Sequence, residues 1–253
     1  MRYTIHAACG CHPGRVRKNN EDNFYFAGKC LPVENSGLKH PVYYEKPLTE
    51  PQCFSVFDGI GGENFGEIAA FSAAKQMQDT ERLLADFFIS EKKYLEQLVQ
   101  KMNIAVVNAS NALHSSQMGT TVVALYFNTR HVYVCNLGDS RAYRLRSGEF
   151  LQISHDHVSS RPVKKGEKAA LTQYLGIDPE EMEIEPYIAK GELVPGDQYL
   201  LYSDGLTDML TNFEISDIML KSEDAESCVN GLLQAALAHG GRDNITVIVC
   251  NIV

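Results

Sequence analysis

Three times in this chain an apolar run abuts an aspartate in a glycine-containing turn, and that pattern narrows the possible folds more than any other feature. Phe54-Ser55-Val56-Phe57 runs into Asp58-Gly59-Ile60-Gly61-Gly62, and Tyr199-Leu200-Leu201-Tyr202 runs into Ser203-Asp204-Gly205. Gly240-Gly241-Arg242-Asp243-Asn244 leads directly into Ile245-Thr246-Val247-Ile248-Val249. Short β-branched and aromatic runs bounded by turn residues read as buried strands. Glycine at the turn lets another group approach the main chain closely, because it has no Cβ. Any one Asp-Gly pair is by itself a plain turn. Several acids delivered to strand ends suggest oxygen ligands gathered around hard cations.

With 253 residues the chain can bury a substantial core. There is no linker-like or low-complexity stretch and no repeat at solenoid or propeller periods, so one domain over 1–253 is expected. A net charge of −9 argues against general nucleic-acid or membrane-surface binding, and part of that excess is accounted for by site acids. No apolar run approaches bilayer length, and Met1 to His6 lack a signal-peptide core, so a cytoplasmic protein is expected. An odd count of seven cysteines then favours free thiols over a disulfide framework. Cys9-Gly10-Cys11-His12 resembles a fragment of a soft-metal site, but no second pair at zinc spacing accompanies it.

Along the chain, Tyr3 to Cys9 and Asn23 to Ala27 read as strands around a polar turn, and residues 30–51 as an excursion, with Val42-Tyr43-Tyr44 on one arm of a hairpin. Phe65, Ile68, Ala69 and Ser72 mark one helix, and Tyr94 through Leu113 keep helical spacing in a second. A meander follows: Thr120 to Phe127, His131 to Leu137, Arg141 to Leu145 and Phe150 to Ile153. Gln198 to Tyr202 and Asn244 to Ile252 are further strands, separated by a helix striped by Val229, Leu232, Leu233 and Ala236 and ended by Gly240-Gly241. Strand runs with helices grouped between them indicate an α+β fold rather than a βαβ repeat.

Six short stretches, in order, resemble the metal-dependent protein phosphatases, the type 2C serine/threonine phosphatases, in their bacterial form. They are Arg17 to Asp22 (RKNNED), Phe57 to Gly62, Gly119-Thr120-Thr121, Asn136 to Arg141, Ser203 to Asp208 and Gly241 to Thr246. Each is weak singly; six in sequence, spread from about Ala8 to Val253, are specific. The resemblance implies a four-layer α-β-β-α sandwich with two central antiparallel sheets. It implies hydrolysis of phosphoserine and phosphothreonine by a hydroxide bridging two ions, Mn2+ or Mg2+, with a third ion in some relatives.

On that resemblance Asp58 is the bridging acid and Gly59 offers a carbonyl oxygen, while Asp204 and Asp243 hold one ion and Glu21 and Asp22 approach the other. Asp139 would complete a third site with Asp204; the alternative is a turn acid paired with Arg141. Arg17, rather than Arg15 or Lys18, would grip the phosphate as a planar fork. Asn244 would orient a water, ligand or substrate, or else cap the turn into the last strand; Thr120 and Thr121 would pack beneath the site. Ile60 stands where eukaryotic members carry histidine, and His155 and His157 read as exposed, which leaves water to protonate the leaving alkoxide. Arg161, Lys164, Lys165 and Lys168 form a basic stretch in a shortened flap, expected to steer acidic phosphoproteins. Partners would be phosphorylated proteins from a serine/threonine kinase, met by a monomer. The competing expectations are an inactive, phosphoprotein-binding relative and a phosphatase acting on a partner-switching factor.

Overall fold

Alternate residues of a strand face opposite ways, and that period decides the layering here. In the first strand, β1 (Thr4–His12), Ile5, Ala7, Cys9 and Cys11 enter one core while Ala8 enters another. The structure is a computed structural model that describes residues 3–60, 65–81, 89–115, 118–162, 164 and 168–253. Chain order continues with β2 (Asn23–Tyr25), β3 (Val42–Pro47), β4 (Gln52–Phe57), β5 (Gly59–Ile60), α1 (Gly66–Glu81) and α2 (Glu91–Ala112). Next come β6 (Gly119–Thr120), β7 (Val122–Phe127), β8 (His131–Leu137), β9 (Arg141–Arg146) and β10 (Glu149–Gln152). The chain closes with β11 (Tyr187–Glu192), β12 (Gln198–Tyr202), α3 (Asn212–Lys221), α4 (Ala225–Ala238) and β13 (Ile245–Ile252).

One sheet has the order β10-β9-β12-β13-β1-β3 and the other β11-β8-β7-β4-β2, with β5 and β6 as a small separate pair. Their ladders are antiparallel, as in Tyr202↔Val247 and Asn23↔Phe57. Between the sheets lies an apolar core in which Phe54, Phe127 and Tyr199 form an edge-to-face chain, with centroids 6.0 and 5.5 Å apart. Burying each such ring contributes about 1.5–3 kcal/mol, so this layer is a main source of cohesion. Helices α1 and α2 cover the outer face of the second sheet through Ala70, Ala73, Met77, Leu95 and Met102. Helices α3 and α4 cover the first through Ile215, Met219, Val229 and Leu232. A Cβ on Gly10 would lie 2.6 Å from Val229 and Leu233, so glycine is what lets α4 settle onto β1. The expected α+β arrangement of two antiparallel sheets between helical layers is present.

The structure corrects one expected element and adds two that the sequence reading lacks. The strand at Val42 does not belong to a local hairpin; β3 pairs with β1 at the sheet edge. Helix α3 escaped the periodic reading because Phe213 and Leu220 are 79% and 57% exposed and blur its stripe. Its signal was the capping box, in which Thr211 accepts from the Glu214 amide and the Glu214 carboxylate accepts from the Thr211 amide. Strand β11 also went unread, because YIAKGE is an edge strand with little alternation.

Candidate metal centre

The antiparallel ladders bring the strand-end acids to one end of the sandwich. Asp58 follows β4, whose last residue pairs with the first of β2, so Asp22 lies beside it. Asp204 follows β12, whose end pairs with the start of β13 after Asp243. Asp139 follows β8, whose end pairs with the start of β7. Burial pushes the Asp58 carboxyl well above its ordinary range, reinforced by Asp204, Asp22, Asp139 and Asp243. These acids are therefore electrostatic neighbours of Asp58.

Each acid is held by its backbone. The Asp58 carbonyl accepts from the Thr120 hydroxyl and the Thr121 amide, each at 2.9 Å, and the Asp58 amide donates to the Thr121 hydroxyl at 3.1 Å. Thr120 and Thr121 therefore clamp the site from beneath, as expected from their position. A Cβ on Gly59 would lie 2.4 Å from the Gly66 carbonyl and 2.5 Å from that of Glu21, and one on Gly66 would lie 2.6 Å from Glu21 Oε2. The glycines thus seat the Glu21 carboxylate against the start of α1. Burial and Glu67 raise the Glu21 carboxyl, and Arg17 opposes them.

Asp22 is nearly fully buried. Its Oδ2 accepts from the hydroxyls of Ser203 and Thr246, both at 2.7 Å, so it braces the residue preceding Asp204. Burial raises its carboxyl to about 7, against the pull of those two hydroxyls. Asp139 is raised to about 6, first by burial and then by Asp204. Asp139 does not pair with Arg141; Arg141 grips Asp156, with Nη2 2.6 Å from Oδ2 and Nε 3.1 and 2.9 Å from the two oxygens.

Two site residues were missed. Asp208 joins Asp204 and Asp243 in a cluster whose carboxylate oxygens lie within 4.8 Å of one another. Its cue was its place in the same Ser203-to-Asp208 turn. Lys168 inserts its ammonium into that cluster, in contact with Asp204, 2.9 Å from Asp208 and 3.8 Å from Asp243. Burial lowers the Lys168 ammonium, but Asp204 and Asp208 outweigh it and the net shift is upward. The basic flap is therefore not wholly turned to solvent: Lys168 faces the acids, and Lys165 lies outside the described residues. The flap is tied down by Ser159 N to Ala170 O at 2.8 Å and Thr172 N to His157 O at 2.9 Å.

Three other residues stand differently from a sequence-only reading. Arg17 is paired through Nη2 with Asp243 Oδ2 at 2.7 Å, and its side chain keeps 49% exposure. Asn244 is buried and its amide is spent on protein: it accepts from Glu21 N at 2.8 Å and donates to Pro13 O and Asn19 O, each at 2.9 Å. It holds the Arg17-to-Asp22 turn and does not face open space, contrary to a substrate-contact role. His157 is half-buried, and its Nδ1 accepts from Gly138 N at 3.2 Å, steadying the loop that carries Asp139. Cys9 and Cys11 lie between the sheets; burial pushes the Cys11 thiol up to about 12, which disfavours the thiolate a soft metal would need.

The donor set is all oxygen, and it directs positive charge, from Lys168 and Arg17, onto the very carboxylates that would hold an ion. Residues and geometry together fit hard divalent cations.

The chain is similar in sequence and in shape to known proteins. Residues 38–176 match the family described as protein phosphatase 2C. The serine/threonine phosphatase stp of Listeria innocua is 28% identical over 96% of this chain and 94% of its own. Protein phosphatase PhpP of Streptococcus pneumoniae is 30% identical over 75% of this chain and 81% of its own. The crystal structure of the catalytic domain of the serine threonine protein phosphatase PstP, in complex with two manganese ions, superposes with a TM-score of 0.78 at 27% identity and 99% coverage of both chains.

Proposed function

The chain belongs to the protein phosphatase 2C family, and from that premise we propose that it is a metal-dependent phosphatase of phosphoserine and phosphothreonine in proteins. What supports this reading is that Asp58, Asp139 and Asp204 follow the ends of β4, β8 and β12 and Asp243 stands just before β13, with the Asp58, Asp139 and Asp204 carboxyls raised chiefly by burial. Asp58, Asp204 and Asp243, with the Gly59 carbonyl, would hold two divalent ions, Mn2+ or Mg2+. Asp139 with Asp204 would offer a third, weaker position. Bound ions would supply Lewis acidity and a nucleophile from water at neutral pH. The protein's own part is to fix the acids through Thr120, Thr121, Asn244 and Ser203, and to offer Arg17. That guanidinium has one nitrogen on Asp243 and much of its fork exposed, so a phosphate can be gripped without displacing the acid. Asp22, buried behind Asp204, acts as a brace. Substrates on this reading are the phosphoproteins made by a serine/threonine kinase. The full acid set speaks against an inactive binding relative.

The test is phosphate release from a phosphothreonine peptide and from a phosphotyrosine peptide, with Mn2+ and with chelator. Release restricted to the first peptide and to the metal is expected. Asp58→Asn should lower kcat/KM by more than about 10²-fold, since even a residue behind a metal ligand commonly costs 10- to 100-fold. Its melting midpoint should be retained, because Asp58 lies at a strand end outside the core. Full turnover by Asp58→Asn, or turnover indifferent to chelator, would sink the assignment.

A further inference from the structure

Away from the acids, the two sheets part along the edge formed by β10 and β11. Between them is a cavity of about 240 Å³ walled by Val134, Ala189, Ile153 and Tyr199, with the 44% exposed Leu151 on its rim. One cation enters this apolar space. Alternation along β9 sends Ala142 into the intersheet core and Tyr143 and Leu145 toward the helices, so Arg144 points inward with Ala142. Among the described residues its guanidinium has no hydrogen bond or ion pair, and its Nε is sealed from solvent without a partner.

The neighbouring charges are already committed. Asp197 is gripped by Arg146 through two bonds of 2.6 Å and accepts from Tyr199 Oη at 2.9 Å. Lys190, which also borders the cavity, carries its ammonium 5.7 Å over the Tyr133 ring. A half-buried arginine with unused donors in a chain of net charge −9 is a costly arrangement unless something answers it. An apolar cavity with one convergent charged group is the usual form of a small-molecule site.

We propose that this cavity binds an amphipathic monoanion, an acyl carboxylate whose chain lies between the sheets and whose carboxylate meets the Arg144 fork. The volume equals that of about eight water molecules, which suits a ligand of roughly eight to ten non-hydrogen atoms. One guanidinium matches one planar carboxylate in charge and geometry. The site shares no residue with the metal centre, so it stands or falls apart from the phosphatase reading.

The probe is octanoate, titrated into the methyl-labelled full chain and followed by NMR at Val134, Leu151 and Ile153, with octanol and octylammonium as comparisons. Octanoate should shift those methyls saturably and bind at least about tenfold more tightly than octanol, the worth of a charge-assisted contact. Arg144→Leu should remove that preference while leaving the melting midpoint unchanged or raised, because it deletes an unanswered charge. Arg144→Lys, which keeps the charge and loses the fork, should bind octanoate with intermediate strength. Ala189→Phe, which fills the space, should lose both octanoate and octanol. Absence of saturable octanoate shifts in the wild type overturns the proposal, as does octanoate binding by Arg144→Leu equal to wild type.

Discussion

Lys168 shows how one side chain can compete with an ion for the same ligands. Its ammonium touches Asp204 and Asp208 and lies near Asp243, the three carboxylates that form the tightest acidic cluster among the described residues. A divalent ion bound there must displace it. The lysine side chain is 52% exposed, so solvent screening limits each pairing to at most about 1 kcal/mol. Two such pairings correspond to at most about 30-fold in affinity. Lys168→Gln is therefore expected to tighten Mn2+ binding at this cluster by up to about 30-fold in a calorimetric titration. Unchanged or weaker binding in that variant would mean that the ammonium moves aside without competing.

At the scale of elements, the site depends on a turn held from far away in sequence. The segment from Pro13 to Asp22 is fastened to the start of β13 by Asn244, which serves Pro13, Asn19 and Glu21 at once. Gly205 sits against the same residue, since a Cβ there would lie 2.0 Å from the Asn244 carbonyl. The strand-end turns thus lock one another. Asn244→Ala leaves the Glu21 amide and two carbonyls without their partner, and an unmade buried hydrogen bond costs about 1–3 kcal/mol. A loss of about 2–3 kcal/mol is expected in urea unfolding, with a weaker Mn2+ response because Glu21 and Arg17 lose their placement. An unchanged urea midpoint would show that other contacts hold the turn.

For the whole molecule, gathering acids at one end of the sandwich is a cost that cations relieve. Folding raises Asp22 to about 7 and Asp139 to about 6 from an ordinary value of 3.8, chiefly through burial, and raises Asp58 and Asp204 as well. A carboxyl with a raised folded pKa holds more protons folded than unfolded between the two values, so stability falls as pH rises through that window. The contribution is complete below about pH 4 and lost by about pH 7. The chelated protein should therefore melt at a lower temperature at pH 8 than at pH 5.5, and saturating Mn2+ should close most of that gap. A chelated midpoint that is flat or rising over this range would show that folding does not raise these carboxyls.

Much of this was legible in the chain because its signals are local. A run of alternating or wholly apolar residues states its own strand, so β8 and β12 were read to the residue. An acid at the end of such a run states its own position, which marked Asp58, Asp204 and Asp243 before any pairing was known. The six ordered motifs added the family, and with it the layered fold. What remained hidden depends on which surfaces meet. Lys168 finds Asp204 across 36 residues and Asn244 finds Pro13 across 231, and neither partner leaves a mark beside the other in sequence. The inward turn of Arg144 follows from strand period, but the space it enters exists because two separate sheets diverge along one edge. Strand and turn preferences act over a few residues and can be read directly. Charge pairing and cavity shape are set by the docking of distant elements, which the tertiary structure alone decides.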